Sequence, residues 1–242
     1  MTVFTCRHEA IAALTGPDAD ARKAAADYLA DDGDDTAVQA LVSALNSTQA
    51  DVQINAAEAL GNCRNSAAVA PLAAVLRDNK SPDSIRQTAA RSLGTLGHSE
   101  GIGPLIETIQ EVLKDPEHTD HNVVRAAVRA LGILGPLTGD AHSRTQMVDG
   151  LLALLDAHSA VLRQSAVVAL AAYEDPRSVK PLRKALSDES WLVRQAAVLA
   201  LVEVGGSEVG PAVEGMMNDS NRNVRIAAAD ALETLTRLGY GE

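Results

Sequence analysis

Aromatic residues make up only 2% of this 242-residue chain, with one Trp, one Phe and three Tyr. Any sizeable core must therefore be built from Ala, Leu and Val, side chains small enough for helices to approach closely. Cysteine is as scarce. Cys6 and Cys63 are too few and too scattered for a disulfide framework, and both are expected as buried structural thiols. Lysine occurs only at Lys23, Lys80, Lys114, Lys180 and Lys184, and the formal net charge is −11. That balance excludes broad nucleic-acid binding, which needs Lys and Arg to neutralise phosphates. An Asp-rich, Lys-poor surface is expected of a protein adapted to high salt, a high-GC bacterial source being the alternative. No apolar run approaches the roughly 20 residues that cross a bilayer. Met1–Leu14 carries Arg7, His8 and Glu9 where a signal peptide would be apolar, so a soluble, cytoplasmic protein is expected. A glycine-rich phosphate loop, a nucleophile elbow and a Ser/His/Asp set are all missing.

What the chain does have is a recurring phrase: an apolar residue, usually an arginine, a run of small residues, then leucine and often glycine. The closing leucines are Leu29, Leu60, Leu93, Leu131, Leu170, Leu201 and Leu232, with steps of 31, 33, 38, 39, 31 and 31 residues. A period in this range predicts stacked helical hairpins, each burying its apolar face against its neighbours. The fold class expected is all-α, a right-handed α-solenoid of about seven hairpins forming a single repeat domain. Its repeats run over about 5–33, 34–65, 66–99, 100–143, 144–176, 177–207 and 208–239.

The repeat at 177–207 shows the logic. Val179, Leu182, Ala185 and Leu186 recur at three- and four-residue spacing, as one face of a first helix should. Pro181 sits in its opening turn, where a missing N–H costs nothing. Ser187, Asp188 and Glu189 break and cap. Val193, Ala196, Ala197, Leu201 and Val204 then form the inner face of a second helix that ends at Gly205-Gly206. Pro71, Pro104 and Pro211 hold the place of Pro181 in other repeats.

The segments Ser84–Gly94 and Val193–Leu201 carry a pattern that resembles the HEAT repeat, most closely the short type named after phycobilin lyases. The resemblance covers nearly the whole chain. It implies architecture more than activity, since such repeats occur in lyases, adaptors, hydroxylases and transport factors. It also implies that an Asp in the turn and an Arg some residues later form a ladder between consecutive repeats. The pairs here are Asp78/Arg86, Asp115/Arg125, Asp156/Arg163, Asp188/Arg194 and Asp219/Arg225, with Asn46 and Gln53 as an uncharged pair in the second repeat. A di-iron hydroxylase of this type needs several His-Glu pairs, and His8-Glu9 is the only one.

In the resembled solenoids the second helices line the binding wall. Six and two residues before each closing Leu, this row reads Lys23/Asp27, Ile54/Glu58, Gln87/Arg91, Arg125/Arg129, Gln164/Val168, Gln195/Leu199 and Ile226/Asp230. Arg91, Arg125 and Arg129 form a positive patch on an acidic protein, and Val168 and Leu199 are apolar where a solvated face would be polar. With Gln87, Gln164, Gln195 and Trp191, the only tryptophan, they are the candidate partner-binding residues. The long steps locate insertions at 115–121 and 135–143. His118, His121 and His158 share a turn edge and are weak candidate metal ligands, without helical H-x-x-x-H spacing. No cofactor is expected. The function expected is a non-enzymatic scaffold or adaptor for a protein with an acidic or amphipathic surface, for which a chemosensory or motility complex is one setting. A phycobilin-lyase-like enzyme or tetrapyrrole chaperone, and an assembly factor for another enzyme, are the alternatives. Asp230, Glu233 and Arg237 read as a solvated end cap, so a monomer is expected.

Overall fold

The computed structural model describes residues 4–116, 120–137, 139–205 and 208–237. Among these, the regular elements are helical, and fourteen α-helices pair in chain order into seven hairpins. They are α1 (Arg7–Ala13) with α2 (Ala19–Asp32), α3 (Asp35–Ala44) with α4 (Ala50–Asn62), α5 (Val69–Arg77) with α6 (Asp83–Leu96), and α7 (Ile102–Lys114) with α8 (His121–Leu134). There follow α9 (Ala141–Leu154) with α10 (Ala160–Ala171), α11 (Val179–Ala185) with α12 (Trp191–Val204), and α13 (Val209–Gly215) with α14 (Arg222–Arg237). The chain forms two compact units, one of Met1–Val112 with His118–Leu137, the other of Leu113–Glu117 with Thr138–Glu242. The first contains α1 to α6, most of α7, and α8. The second contains α9 to α14.

Local chemistry sets the helix ends. Pro71, Pro104, Pro181 and Pro211 are each the third residue of a first helix, inside the turn whose N–H groups have no intrahelical acceptor. Asp18, Asp34, Asp120 and Asp140 accept from backbone N–H groups at the starts of α2, α3, α8 and α9. The Asp140 cap starts α9 at Ala141, within the stretch read from sequence as the tail of the fourth repeat. Gly33 and Gly97 end their helices in the left-handed region, with φ of +61° and +79°. Arg64 and Glu174 adopt the same hand without being glycine. Cys63 is buried as expected. Cys6 instead sits just before the short helix α1, makes no side-chain capping bond and is exposed, a correction that follows from its place ahead of the first apolar face.

The closing leucines from Leu29 to Leu201 are all 1% exposed or less, while Leu232, on the last described helix, is half-buried. Within the first unit α2, α4, α6 and α8 pack each on the next, and within the second α10, α12 and α14 do the same. In the first unit that approach is close enough to require glycine. A Cβ on Gly61 would lie 2.8 Å from Cα and Cβ of Ser92, and one on Gly94 would lie 2.8 Å from Cα and Cβ of Ala130. So α4, α6 and α8 meet almost backbone to backbone.

The arginine ladder exists, but its register differs from the sequence pairing. The arginine seven residues before the closing leucine reaches back to its own turn and forward to the next hairpin. Arg194 Nη1 donates to the carbonyls of Asp188 (2.9 Å) and Glu189 (3.2 Å), and its Nε and Nη2 donate to Asp219 at 2.7 and 2.8 Å. Arg163 repeats this with Ala157, His158 and Asp188, and adds Glu189 at 3.0 Å. Arg22 does so with Gly16, Pro17 and Asp51. Arg225 keeps only the carbonyl half, on Asp219 and Ser220. The Asp188 and Asp219 carboxylates thus serve the preceding repeat's arginine, and only their backbone carbonyls serve Arg194 and Arg225. Asp156 pairs with Lys184 at 2.9 Å rather than with Arg163. Gln53 donates to the Leu45 carbonyl at 2.9 Å rather than joining Asn46, and Arg86 donates to the Leu76 carbonyl at 3.0 Å. Arg125 is not a ladder residue. The longer fourth turn shifts the count from Asp115, and the ladder position is filled by Val124, which is fully buried.

The Arg194–Asp219 pair is largely enclosed, with side-chain exposures of 13% and 7%. The Arg194 guanidinium holds the Asp219 carboxyl below its ordinary value of 3.8, and the Asn221 N–H helps. A depressed carboxylate stabilises the fold fully above that ordinary value, and the contribution is lost as pH falls through the folded one. Urea unfolding should therefore show Arg194→Ala costing about 3 kcal/mol at pH 7, with a gap to the parent protein that narrows below pH 4. Gly94→Ala should cost about 1–3 kcal/mol in the same measurement, since it overpacks the α6–α8 contact at backbone atoms.

Candidate partner-binding faces

Burial of a second helix on both flanks leaves a narrow exposed row. On α6, beyond the first turn, only Gln87, Arg91 and Thr95 escape the core. On α8 the exposed positions beyond the first turn are Arg125, Arg129 and Ile133, spaced four residues apart along one face. The close α6–α8 approach sets these two rows side by side. In the first unit the row begins as a chain of opposite charges. Lys23 Nζ lies 3.0 Å from Asp27 and 3.3 Å from Glu58, and Arg91 Nη2 lies 3.5 Å from the other Glu58 oxygen and 3.3 Å from the Thr88 hydroxyl. It ends on α8, where Arg125 and Arg129 have no carboxylate partner among the described residues. The three arginines named from sequence are thus unequal: Arg91 is tied to Glu58, while Arg125 and Arg129 present open guanidinium groups. Ile133, 46% exposed, extends this face, and sequence reasoning missed it although it stands one turn beyond Arg129.

In the second unit the row changes character. Val168 and Leu199 hold the same register on neighbouring helices and are 59% and 51% exposed, while Gln164 and Gln195 are half-buried beside them. Ile226 on α14 and Val161 on α10 add exposed apolar surface. Trp191 is half-buried at the first position of α12. A groove of about 910 Å³ in this unit is lined by Leu152, Leu155, Pro181 and Val193, with Lys180, Lys184 and His158 among its polar groups. The Asp156–Lys184 pair spends one of its cations.

Of the metal candidates, His118 lies outside the described residues. His121 is half-buried at the start of α8 and His158 is exposed, with its carbonyl taken by Arg163. Among the described residues no group of three or more His, Cys, Asp or Glu is placed to hold a metal ion. No helix among them is long and apolar enough to cross a membrane.

Seven helical hairpins, with small residues between second helices and an arginine bridging successive turns, define an α-solenoid built of repeats. The chain belongs to the HEAT-repeat family. Residues 9–83 and 148–233 match the model for HEAT repeats, and residues 85–113 match that for the PBS lyase HEAT-like repeat. The chain is 30% identical over 182 residues to the phycocyanobilin lyase subunit alpha of Picosynechococcus sp., a match covering 72% of this chain and 65% of that relative's length. Among solved structures it is similar in fold to a chain of the complex of CpcE and CpcF of phycocyanin lyase from Nostoc sp. PCC7120. That match has a TM-score of 0.54 at 21% identity and covers 97% of this chain and 96% of the other. An engineered protein matches with a TM-score of 0.52 at 22% identity, over 97% of this chain and 72% of its own.

The Lys23–Glu58–Arg91 pairs are solvent-exposed, and such pairs contribute little to stability. Glu58→Gln should therefore shift the urea-unfolding free energy by less than about 1 kcal/mol, leaving Arg91 free for other partners at negligible cost to the fold.

Proposed function

We propose that this chain is a HEAT-repeat scaffold that seats a protein partner on the exposed rows of its second helices. The observation that carries this reading is the pair Arg125 and Arg129. In a chain of formal charge −11, two neighbouring guanidinium groups stand open on α8, beside Arg91 and the apolar Ile133. An acidic, amphipathic surface on a partner supplies what they lack, since carboxylates pair bidentately with guanidinium groups and Ile133 gives an apolar contact. An adaptor in a cytoplasmic signalling or regulatory assembly fits this chemistry, a chemosensory or motility complex being one such setting. An assembly factor for another enzyme would use the same surface.

The likeness to a phycocyanobilin lyase subunit favours a second reading, in which the chain handles a linear tetrapyrrole and the arginines take its propionates. One experiment separates the two. Tagged protein and its Arg125→Glu/Arg129→Glu variant serve as baits in lysate of the source cell at its native salt, with capture read by mass spectrometry and helicity by circular dichroism. A discrete partner held by the parent and reduced at least about tenfold on the variant is the expected result. Equal recovery on both baits overturns the assignment of the α8 face. A red-shifted absorption band on mixing with phycocyanobilin, lost in the variant, replaces the scaffold reading with the lyase one.

A further inference from the structure

Two second helices of the second unit, α10 and α12, are built differently from α6 and α8. The only charged residue of α10 is Arg163, and α12 carries only Arg194 and Glu203. Both arginines are consumed by the ladder, held by turn carbonyls and by Asp188 and Asp219. These helices are apolar nearly all round, a composition that belongs to helices buried on every side. Yet one side is open, with Val168, Leu199 and Ile226 each about half exposed or more. They form a stripe across α10, α12 and α14. The charges beside Leu199 are Glu203, one turn further along α12, and Asp230, in the same register on α14. Both are exposed, while Arg222 and Arg237 stand at the two ends of α14.

We propose that this stripe is the seat of an amphipathic helix from a partner protein, with an apolar face flanked by basic residues. The inference rests on the reading of second-helix rows as partner-binding surfaces, and adds the partner's chemistry for this unit. Three features select that occupant. Neighbouring packed helices lie about 8–10 Å apart, close to the rise of one heptad, so apolar residues one heptad apart meet Val168 and Leu199, which share a register, and an oblique crossing carries the next to Ile226, one turn nearer the start of α14. An extended peptide would need a backbone-bonding side chain in every repeat, and the row Gln164, Gln195, Ile226 ends in a residue that cannot supply one. A second copy of this chain in a two-fold contact would bring the Glu203 and Asp230 carboxylates of both copies into one shared patch, which like-charge repulsion opposes.

The probe is a fluorescein-labelled 18-residue helical peptide with a leucine stripe flanked by lysines. It is compared with a version in which glutamate replaces lysine and one in which the same leucines are scattered round the helix. Binding is read by anisotropy at 150 mM salt for the full chain, for Val168→Gln/Leu199→Gln, and for Arg125→Glu/Arg129→Glu, all of parental helicity. The expected result is saturable binding of the lysine peptide alone, weakened about tenfold or more by Val168→Gln/Leu199→Gln and not weakened by the arginine changes. Absence of binding, preference for the glutamate peptide, or indifference to Val168→Gln/Leu199→Gln overturns the proposal. So does a dimer in sedimentation that the same double change dissolves. None of these outcomes bears on capture through Arg125 and Arg129, so the two surfaces stand or fall separately.

Discussion

The close packing of one second helix on the next is the constraint from which the rest of this structure follows. With 2% aromatic residues, the core gains its burial from many small contacts, and those form only if helices approach to the thickness of Ala or Gly. Gly61 against Ser92 and Gly94 against Ala130 are the limiting cases. A helix buried on both flanks and against its own first helix has a single strip left for solvent. On α6 that strip is one residue wide. Function in such a helix is confined to the few positions that packing does not claim, so the identity of those residues carries nearly all of the specificity.

The ladder adds a second constraint. At the seventh position before the closing leucine, Arg22, Arg163 and Arg194 each satisfy two turn carbonyls and a carboxylate of the next hairpin, with the guanidinium largely withdrawn from water. This fixes the position of a hairpin's turn relative to the next, and it uses up Asp as well as Arg. Asp18, Asp34, Asp120 and Asp140 cap helices, and Asp51, Asp188 and Asp219 take ladder arginines. Much of the aspartate excess that suggested salt adaptation is thus architectural: short side chains are needed at helix starts, where Glu would reach past the N–H groups. Salt adaptation is not required to account for those residues.

The helical hairpins were legible because their signals are local. Leucine spacing, proline in a first turn and glycine at a helix end depend on a handful of adjacent residues, and Leu29 through Leu201 occupy the core as their period predicts. Ladder partners were not legible, because a turn Asp has two arginines near enough in sequence and only the stacking of hairpins decides between them. Counting from Asp115 gave Arg125. Counting from Leu131 gives Val124, and the buried valine shows that distance to the packed leucine, not to the turn, is the conserved metric within this chain. Positions two and six residues before a core leucine point away from it, and of the sequence-read row Asp27, Arg91, Arg125, Arg129, Val168, Leu199, Ile226 and Asp230 are exposed while the others are half-buried. The state of its charges was hidden, because the link from Glu58 to Arg91 runs between helices 33 residues apart in sequence.

The same lattice therefore yields two unlike surfaces. In the first unit the core positions are filled by apolar and small residues, and the charged side chains Lys23, Glu58 and Arg91 occupy the outer row, where they largely satisfy one another until α8. In the second unit the ladder withdraws Arg163 and Arg194 into the stack, as it does Arg22 and Arg86 in the first, but the outer row is left to Val168 and Leu199. Cations that stabilise the stack are unavailable to the surface. A repeat protein with 21 basic residues and no wish to expose a generic basic face must divide them between these roles, and here the division differs from one unit to the other. The stack and the surface compete for the same arginines, which is why the open pair on α8, at a repeat whose ladder position holds Val124, is where the first unit leaves cationic charge without a carboxylate partner among the described residues.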